Sequence, residues 1–309
     1  MIDTASHTLP APLVPLPAVR SESVAISAAF AHRVADEDVL VTGWTQRGNT
    51  SFALDIDWSG PHVFFAPARG SAHHHMLIAQ TLRQVGLGLV HAALGVSRSH
   101  HFLMNDLTYS IDARHRVDPS APLRAYAHGT WTGRRSLEMH IGLHQRGAAY
   151  LTSRSSFTWV PDPVYRRLRG ERLTAVPPQG AARPVAPRVV GRDHASEVAL
   201  APGARPGTWQ LIADTGHPAL IDHAVDHVPG LVLLEAAQQA AYAFRGERGF
   251  DPTALALTAH RYVEFDAPCL LEAREVPASS PGSAGIEVVG RQREEITFRC
   301  LMLSLLREN

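Results

Sequence analysis

The sequence predicts an α+β protein: two copies of one layout, each a long buried helix wrapped by a curved antiparallel sheet. Three observations carry this. A phrase occurs twice, Met76-Leu-Ile-Ala-Gln80-Thr-Leu-Arg83-Gln84 and Leu231-Val-Leu-Leu-Glu235-Ala-Ala-Gln238-Gln239, at an offset of 155 residues (235 − 80), about half of the 309-residue chain. Self-similarity at that spacing is the mark of a duplicated unit. Matching strand patterns flank both phrases. A Pro-, Gly- and Ala-rich break, Val176-Pro-Pro-Gln-Gly180-Ala-Ala-Arg-Pro-Val-Ala-Pro187, separates them and has the composition of a linker.

The elements follow in order. Residues 1–24, rich in Pro, Ala and Leu at their start, read as a flexible N-terminal arm; 25–168 as the first domain; 169–189 as a linker; 190–309 as the second domain. Phe52, Leu54, Ile56 and Trp58 alternate with Ala53, Asp55 and Asp57, the period of a half-buried strand. Shifted by 155, Leu54 falls on Trp209 and Ile56 on Leu211, again alternating. A turn rich in Gly, Pro and His follows in each copy, Gly60-Pro-His62 and Gly216-His-Pro218. Then come the helices, predicted over 75–94 and 229–245, apolar over most of their circumference and therefore buried. Alternation resumes at Leu137, Met139, Ile141 and Leu143, and at Ile296, Phe298, Cys300 and Met302.

Composition sets the class. The apolar fraction is 45% and the charged fraction 19%, as in a globular protein with an ample core. All 29 basic residues are arginine and the formal net charge is zero. That balance offers no nucleic-acid-binding surface and no polybasic membrane patch, and the absence of lysine excludes Schiff-base chemistry and a phosphate-loop lysine. Cys269 and Cys300 form no CxxC pair and read as core residues of a reducing compartment. No signal peptide and no apolar run of ~20 residues is evident, so the expectation is a cytoplasmic protein.

At this point the residues resemble a known family. Asp226-His227-Val-Pro-Gly230, followed by Leu234-Glu235-Ala-Ala and Gln239, is similar to the second half of the A-factor biosynthesis (AfsA-like) hotdog proteins, the γ-butyrolactone synthases. The first half is similar through Ala31-His32-Arg33, Val41-Thr-Gly-Trp44, Leu82-Arg-Gln-Val-Gly86, Gly95-Val96 and Phe102-Leu-Met-Asn-Asp-Leu107. The resemblance implies a tandem (double) hotdog. It also implies transfer of a β-ketoacyl group from an acyl-carrier-protein thioester to the hydroxyl of dihydroxyacetone phosphate or a related small alcohol, with no cofactor beyond the carrier's phosphopantetheine. The family has Glu-x-x-Arg-Gln on both helices. Here the first helix carries Gln80 in place of the acid, the second carries Gln238 in place of the arginine, and the family's His-Asp-Pro before the first helix becomes His73-His74-His75.

Acyl transfer to an alcohol needs a base near the hydroxyl, donors for the developing oxyanion and, for a phosphorylated acceptor, a cation or free N–H groups. Glu235 suits the base, or alternatively a structural hydrogen bond to a neighbouring strand. His223 and His227 flank Asp226 before the helix and suit proton transfer, or are turn residues with Asp226 as a helix cap. Gly230 at the helix start lets backbone approach a thioester closely. Arg83, facing the same way as Gln80, suits a phosphate or the phosphopantetheine, or an ion pair across the domain interface. Gln80 and Gln238 can bind substrate but supply neither base nor fixed cation. His73–His75, with His100 and His101, lacks metal-ligand spacing, so no metal is expected. The Gly-rich tract Ser279–Gly285 is a plain loop. The expected partners are an acyl carrier protein or acyl thioester and a small phosphorylated or polyol acceptor, in a monomeric pseudo-dimer or a homodimer. Two rivals stand: a hotdog dehydratase or thioesterase using His223 with Glu235, and a non-catalytic acyl-ligand or carrier-protein binding module.

Overall fold

The computed structural model describes residues 23–59, 68–69, 71, 74–118, 120–176, 182–246, 250–277 and 283–305. Gly60-Pro-His62, His73, most of the N-terminal arm, the middle of the linker and the start of the Gly-rich tract lie outside these residues.

The first half runs β1 (Val24–Ala25), α1 (Ala28–Ala31), β2 (Val41–Gly48), β3 (Ser51–Ile56), α2 (His75–Ala92), β4 (His100–Ile111), β5 (Leu123–Gly133), β6 (Ser136–Gln145) and β7 (Ala148–Pro161), followed by α3 (Asp162–Arg169). The second half repeats it as β8 (Leu200–Pro202), β9 (Thr208–Leu211), α4 (Gly230–Arg245), β10 (Ala254–Ala259), β11 (Leu270–Val276), β12 (Ser283–Gln292) and β13 (Glu295–Leu305). All the described strands join one antiparallel sheet in the order β1-β2-β3-β5-β6-β7-β4-β10-β13-β12-β11-β9-β8. Apart from β1, which has no counterpart among the described strands of the second half, the sheet gives the same succession read inward from its two ends, and it meets at β4 and β10, where Leu107 pairs with Leu257. The junction is therefore a pseudo-two-fold. This is the tandem hotdog implied by the resemblance.

Each central helix packs against strands of its own half, α2 against β2 and α4 against β8, β9 and β11–β13. Ile78, Val85, Leu89 and Val90 of α2 and Ala236, Ala237, Ala240 and Ala241 of α4 are wholly buried. Full burial of the Ile, Val and Leu side chains of α2 stabilises by roughly 1.5–3 kcal/mol each, and the small alanines of α4 contribute less. A Cβ on Gly88 would fall 2.9 Å from Ile26, so the missing side chain lets the N-terminal segment cross α2 closely. The polar positions of the buried face are satisfied: Trp58 Nε1 donates to Thr81 (2.8 Å), whose hydroxyl donates to the Leu77 carbonyl (2.8 Å). Both predicted helices are present, slightly shorter than expected. The chain leaves α2 through the left-handed Gly95 (φ 69°), and Pro229 stands as the residue before α4 rather than within it. Helix α3 was not foreseen. It carries the chain across the expected 168/169 boundary, and Arg169 is buried against the second half. Both cysteines are free and buried. No helix among the described residues is long and apolar enough to cross a membrane.

Candidate functional site

The two helices hold their domains in the same way. Gln84 accepts from the backbone N–H of Leu40 (2.7 Å) and donates to the Asp38 carbonyl (2.7 Å). Gln239, 155 residues on, accepts from Ala199 N–H (2.9 Å) and donates to the Glu197 carbonyl (2.7 Å). Position 38 thus corresponds to 197 and 40 to 199, which aligns Arg33 with Arg192; both arginines are buried. A second pair of glutamines does the same work at the far ends of the sheets. Gln145 binds the Asp118 N–H and the Asp118 and Ala121 carbonyls, and Gln292 binds the Glu264 N–H and the Glu264 and Ala267 carbonyls.

Against that shared frame the chemistry diverges. Glu235 is 0% exposed and its carboxylate is gripped by the Arg192 fork, Nε to Oε1 at 2.8 Å and Nη2 to Oε2 at 2.7 Å, with Gln239 donating to Oε1 at 2.6 Å. A proton-accepting role would require these bonds to open, so the base expected at this position is an internal ion pair in the structure. In the first half Gln80, also 0% exposed, stands where Glu235 does, and its Nε2 has no hydrogen-bond partner. Arg33 turns away from α2 instead. It donates to Asp38 (2.7 Å) and, across the junction, to the carbonyls of Ala219 (3.0 Å) and Pro218 (3.2 Å), with Asp222 at 3.3 Å.

Arg83 lies beside this cluster. Its hydrogen bonds are long and neutral, Nη1 to the Ala31 carbonyl at 3.4 Å and to Gln80 Oε1 at 3.5 Å, and no carboxylate among the described residues comes within ion-pair distance. Burial, then the charge of Arg33, bring its pKa down to about 10, partly offset by Asp222. It is a cation with unspent donors beside the unpartnered amide of Gln80. The Arg83–Gln80 group and Glu235 are not joined: Glu235 is bound within the second half.

The loop before α4 carries two Asp–His pairs. His223 Nδ1 donates to Asp222 at 2.7 Å, which makes Nε2 the accepting nitrogen of the neutral ring on a half-exposed side chain. Asp222 is itself held by Val34 N–H (3.0 Å) and lines a wide apolar cleft with His223, Val198, Ile212, Ile221 and Val225. His227 Nδ1 donates to Asp226 (2.8 Å). Asp226 does not cap α4: it accepts from Tyr165 (2.8 Å) and Arg169 (2.7 Å), and Arg169 also forks onto Glu264. Burial alone would raise Asp226, but bonds from His227, Arg169 and Tyr165 outweigh it and hold the carboxyl well below the usual range. Gly230 opens α4 against Met104 of β4; Val232 and Leu233 N–H already donate to the Pro229 carbonyl, so Gly230 and Leu231 carry the N–H groups that the helix itself does not use. Gln238 faces a narrow gap with Arg192, Tyr242 and His75, and its Nε2 is unpartnered.

One residue of this cluster was matched to the family but given no role from sequence. His32 sits in the left-handed region (φ 52°) and pairs with His91, Nε2 to Nε2 at 2.8 Å. Because His91 Nδ1 must donate to the Val96 carbonyl (2.7 Å), the neutral pair has a bare His91 Nε2 that accepts from His32, and so a bare His32 Nδ1. Burial, then the charges of Arg83 and His91, push His32 down to about 3, so the ring stays neutral. Among the described residues no three His, Cys, Asp or Glu side chains gather as metal ligands.

Fold and site together define a fused hotdog pair with its titratable groups gathered at the junction. A family model for the A-factor biosynthesis hotdog domain matches residues 16–161 and 173–297. The chain is 37% identical over 278 residues to a 2-oxo-3-(phosphooxy)propyl 3-oxoalkanoate synthase of Streptomyces virginiae, covering 88% of this chain and 94% of that protein. It is 31% identical over 287 residues to the protein of the same description from Streptomyces coelicolor, with 91% of each covered. The chain belongs to the AfsA family of A-factor biosynthesis hotdog proteins. Among solved structures it is similar to one described as an oleoyl thioesterase from Lactobacillus plantarum (TM-score 0.53, 11% identity, 84% of this chain and 97% of that one). It is also similar to a hot dog fold protein from Alicyclobacillus acidocaldarius (TM-score 0.50, 14% identity, 89% and 100%). At such identities these likenesses speak for the fold alone.

Proposed function

We propose that the chain is an acyltransferase that joins a β-ketoacyl group, delivered as an acyl-carrier-protein thioester, to the hydroxyl of dihydroxyacetone phosphate. The relatives that match nearly its whole length are named for the ester this reaction makes. The observation that carries the reading is Arg83: a partly buried guanidinium without a carboxylate partner, next to the orphaned amide of Gln80, is what a phosphate-bearing acceptor needs.

The steps are simple. The acceptor oxygen attacks the thioester carbonyl while its proton passes to His223 Nε2, with Asp222 holding the ring in the accepting tautomer. First-turn N–H groups of α4 at Gly230 steady the oxyanion, with His227 beside them. The C–S bond then breaks, and the proton leaves with the thiolate as the carrier's thiol. The apolar cleft beside His223 takes the acyl chain. The thioester brings its own activation, so the reaction calls for no cofactor.

The test is to incubate the protein with a β-ketoacyl carrier-protein thioester and dihydroxyacetone phosphate and follow products by mass spectrometry. The phosphorylated keto ester is expected. Free β-keto acid as the sole product would make the protein a thioesterase, water loss from a β-hydroxyacyl thioester would make it a dehydratase, and no turnover by folded protein would leave a binding module.

A further inference from the structure

The two halves place the same arginine in two different roles. Arg192 is bound to its own central helix through Glu235. Arg33 occupies the matching place, but the matching helix residue is Gln80, which offers no charge. Arg33 therefore keeps Asp38 of its own half and reaches across to the Pro218 and Ala219 carbonyls and to Asp222, in the loop of the other half that carries His223. The neighbouring Val34 N–H binds the same Asp222 oxygen. All of these contacts except the one to Asp38 cross the junction.

We propose that the glutamine at position 80 leaves Arg33 without a partner on its own central helix and makes it the positioning residue for the Asp222–His223 pair. One guanidinium has to serve both sides. A carboxylate at 80 would offer a bidentate, charge-assisted partner of the kind seen at Glu235, in competition with the Pro218 and Ala219 carbonyls and Asp222 across the junction and with Asp38 in its own half. With Glu at that position Arg33 would fold back onto α2, as Arg192 does on α4, and residues 218–222 would lose their anchor. The open charge beside Arg83 would be cancelled at the same time.

The decisive variants are Gln80→Glu, Arg33→Met and the two combined. Hydrogen–deuterium exchange of the full chain reads the clamp without any assumption about the reaction: segment 217–223 should exchange faster in Gln80→Glu and in Arg33→Met alike, while the second-half contacts of Gln239 stay protected. In the acyl-transfer assay, which rests on the function proposed above, each single change should lower kcat by about 10- to 100-fold, the scale of a hydrogen-bonded charge. The combined variant should fall no further than Arg33→Met alone, because Gln80→Glu acts through Arg33. Its KM for the phosphorylated acceptor should still rise, through Arg83. Unchanged exchange at 217–223 in a folded Gln80→Glu protein, or kcat losses that multiply in the combined variant, would overturn the proposal. Faster exchange without any acyl transfer would uphold the clamp and sink the assigned reaction instead.

Discussion

Positions 80 and 83 of the first half and 235 and 238 of the second make the most instructive comparison in the molecule. In the second half the buried acid has a buried base and the hydrogen bonds of Glu235 are complete, while the Gln238 amide beside it lacks a partner at Nε2. In the first half a neutral amide lacks a partner and two arginines lie close together with no acid on the helix. Completed polar groups stabilise; incomplete ones are a liability unless a ligand completes them. The difference teaches that a strong charge in a hotdog core is not by itself a sign of chemistry. The carboxylate that looks most catalytic in sequence is the one held in a complete ion pair.

The comparison breaks most readily at Glu235. Glu235→Ala should destabilise the protein by about 3–5 kcal/mol, because Arg192 is left buried and unpaired. Replacing both residues by apolar ones should lose less. Urea unfolding measures both, and a Glu235→Ala protein of native stability with no activity would return Glu235 to the catalytic role. Next in size is Arg83→Met. The KM for dihydroxyacetone phosphate should rise about 10- to 100-fold, that for dihydroxyacetone should hardly move, and thermal stability should hold or improve as an uncompensated charge is removed. A matching stability loss would make Arg83 structural.

The smallest effect belongs to Asp226, whose counterpart 155 residues back is Ser71. Its carboxyl is held well below the usual range in the folded protein. A depressed folded value stabilises fully above the unfolded carboxyl pKa of about 3.9 and fades as pH falls through the folded one. Thermal stability followed downward from pH 6 should therefore decline below about pH 4, and Asp226→Asn should flatten that acid arm. An identical acid arm in the variant would remove Asp226 from the account.

Much of the architecture was legible because it depends on local period. The alternation at Phe52–Trp58, Leu137–Leu143 and Ile296–Met302 lies on β3, β6 and β13 (with Trp58 just past β3), and both helices begin within a residue of expectation. The site was less legible because its partners are distant in the chain. Arg192 lies 43 residues from Glu235, and Arg33 lies 186 from Ala219. A signal did exist. Arg33 is followed by Asp38-Val39 and Arg192 by Glu197-Val198, a second repeated phrase at a slightly different offset. Loops of unequal length shifted it out of register with the helix repeat and hid it. Helix α3 was hidden for another reason: its apolar residues Val164 and Leu168 are exposed, so no buried stripe announces it.

The β4–β10 seam has a genetic consequence. Where two identical chains meet at such a seam, every substitution is made twice, and a protein that needs Glu at one helix must keep Glu at the other. Here one chain crosses the seam, so Gln80 and Glu235 coexist, one side free to vary while the other retains its ion pair. Fusing the pair turned a symmetry operator into two independent loci.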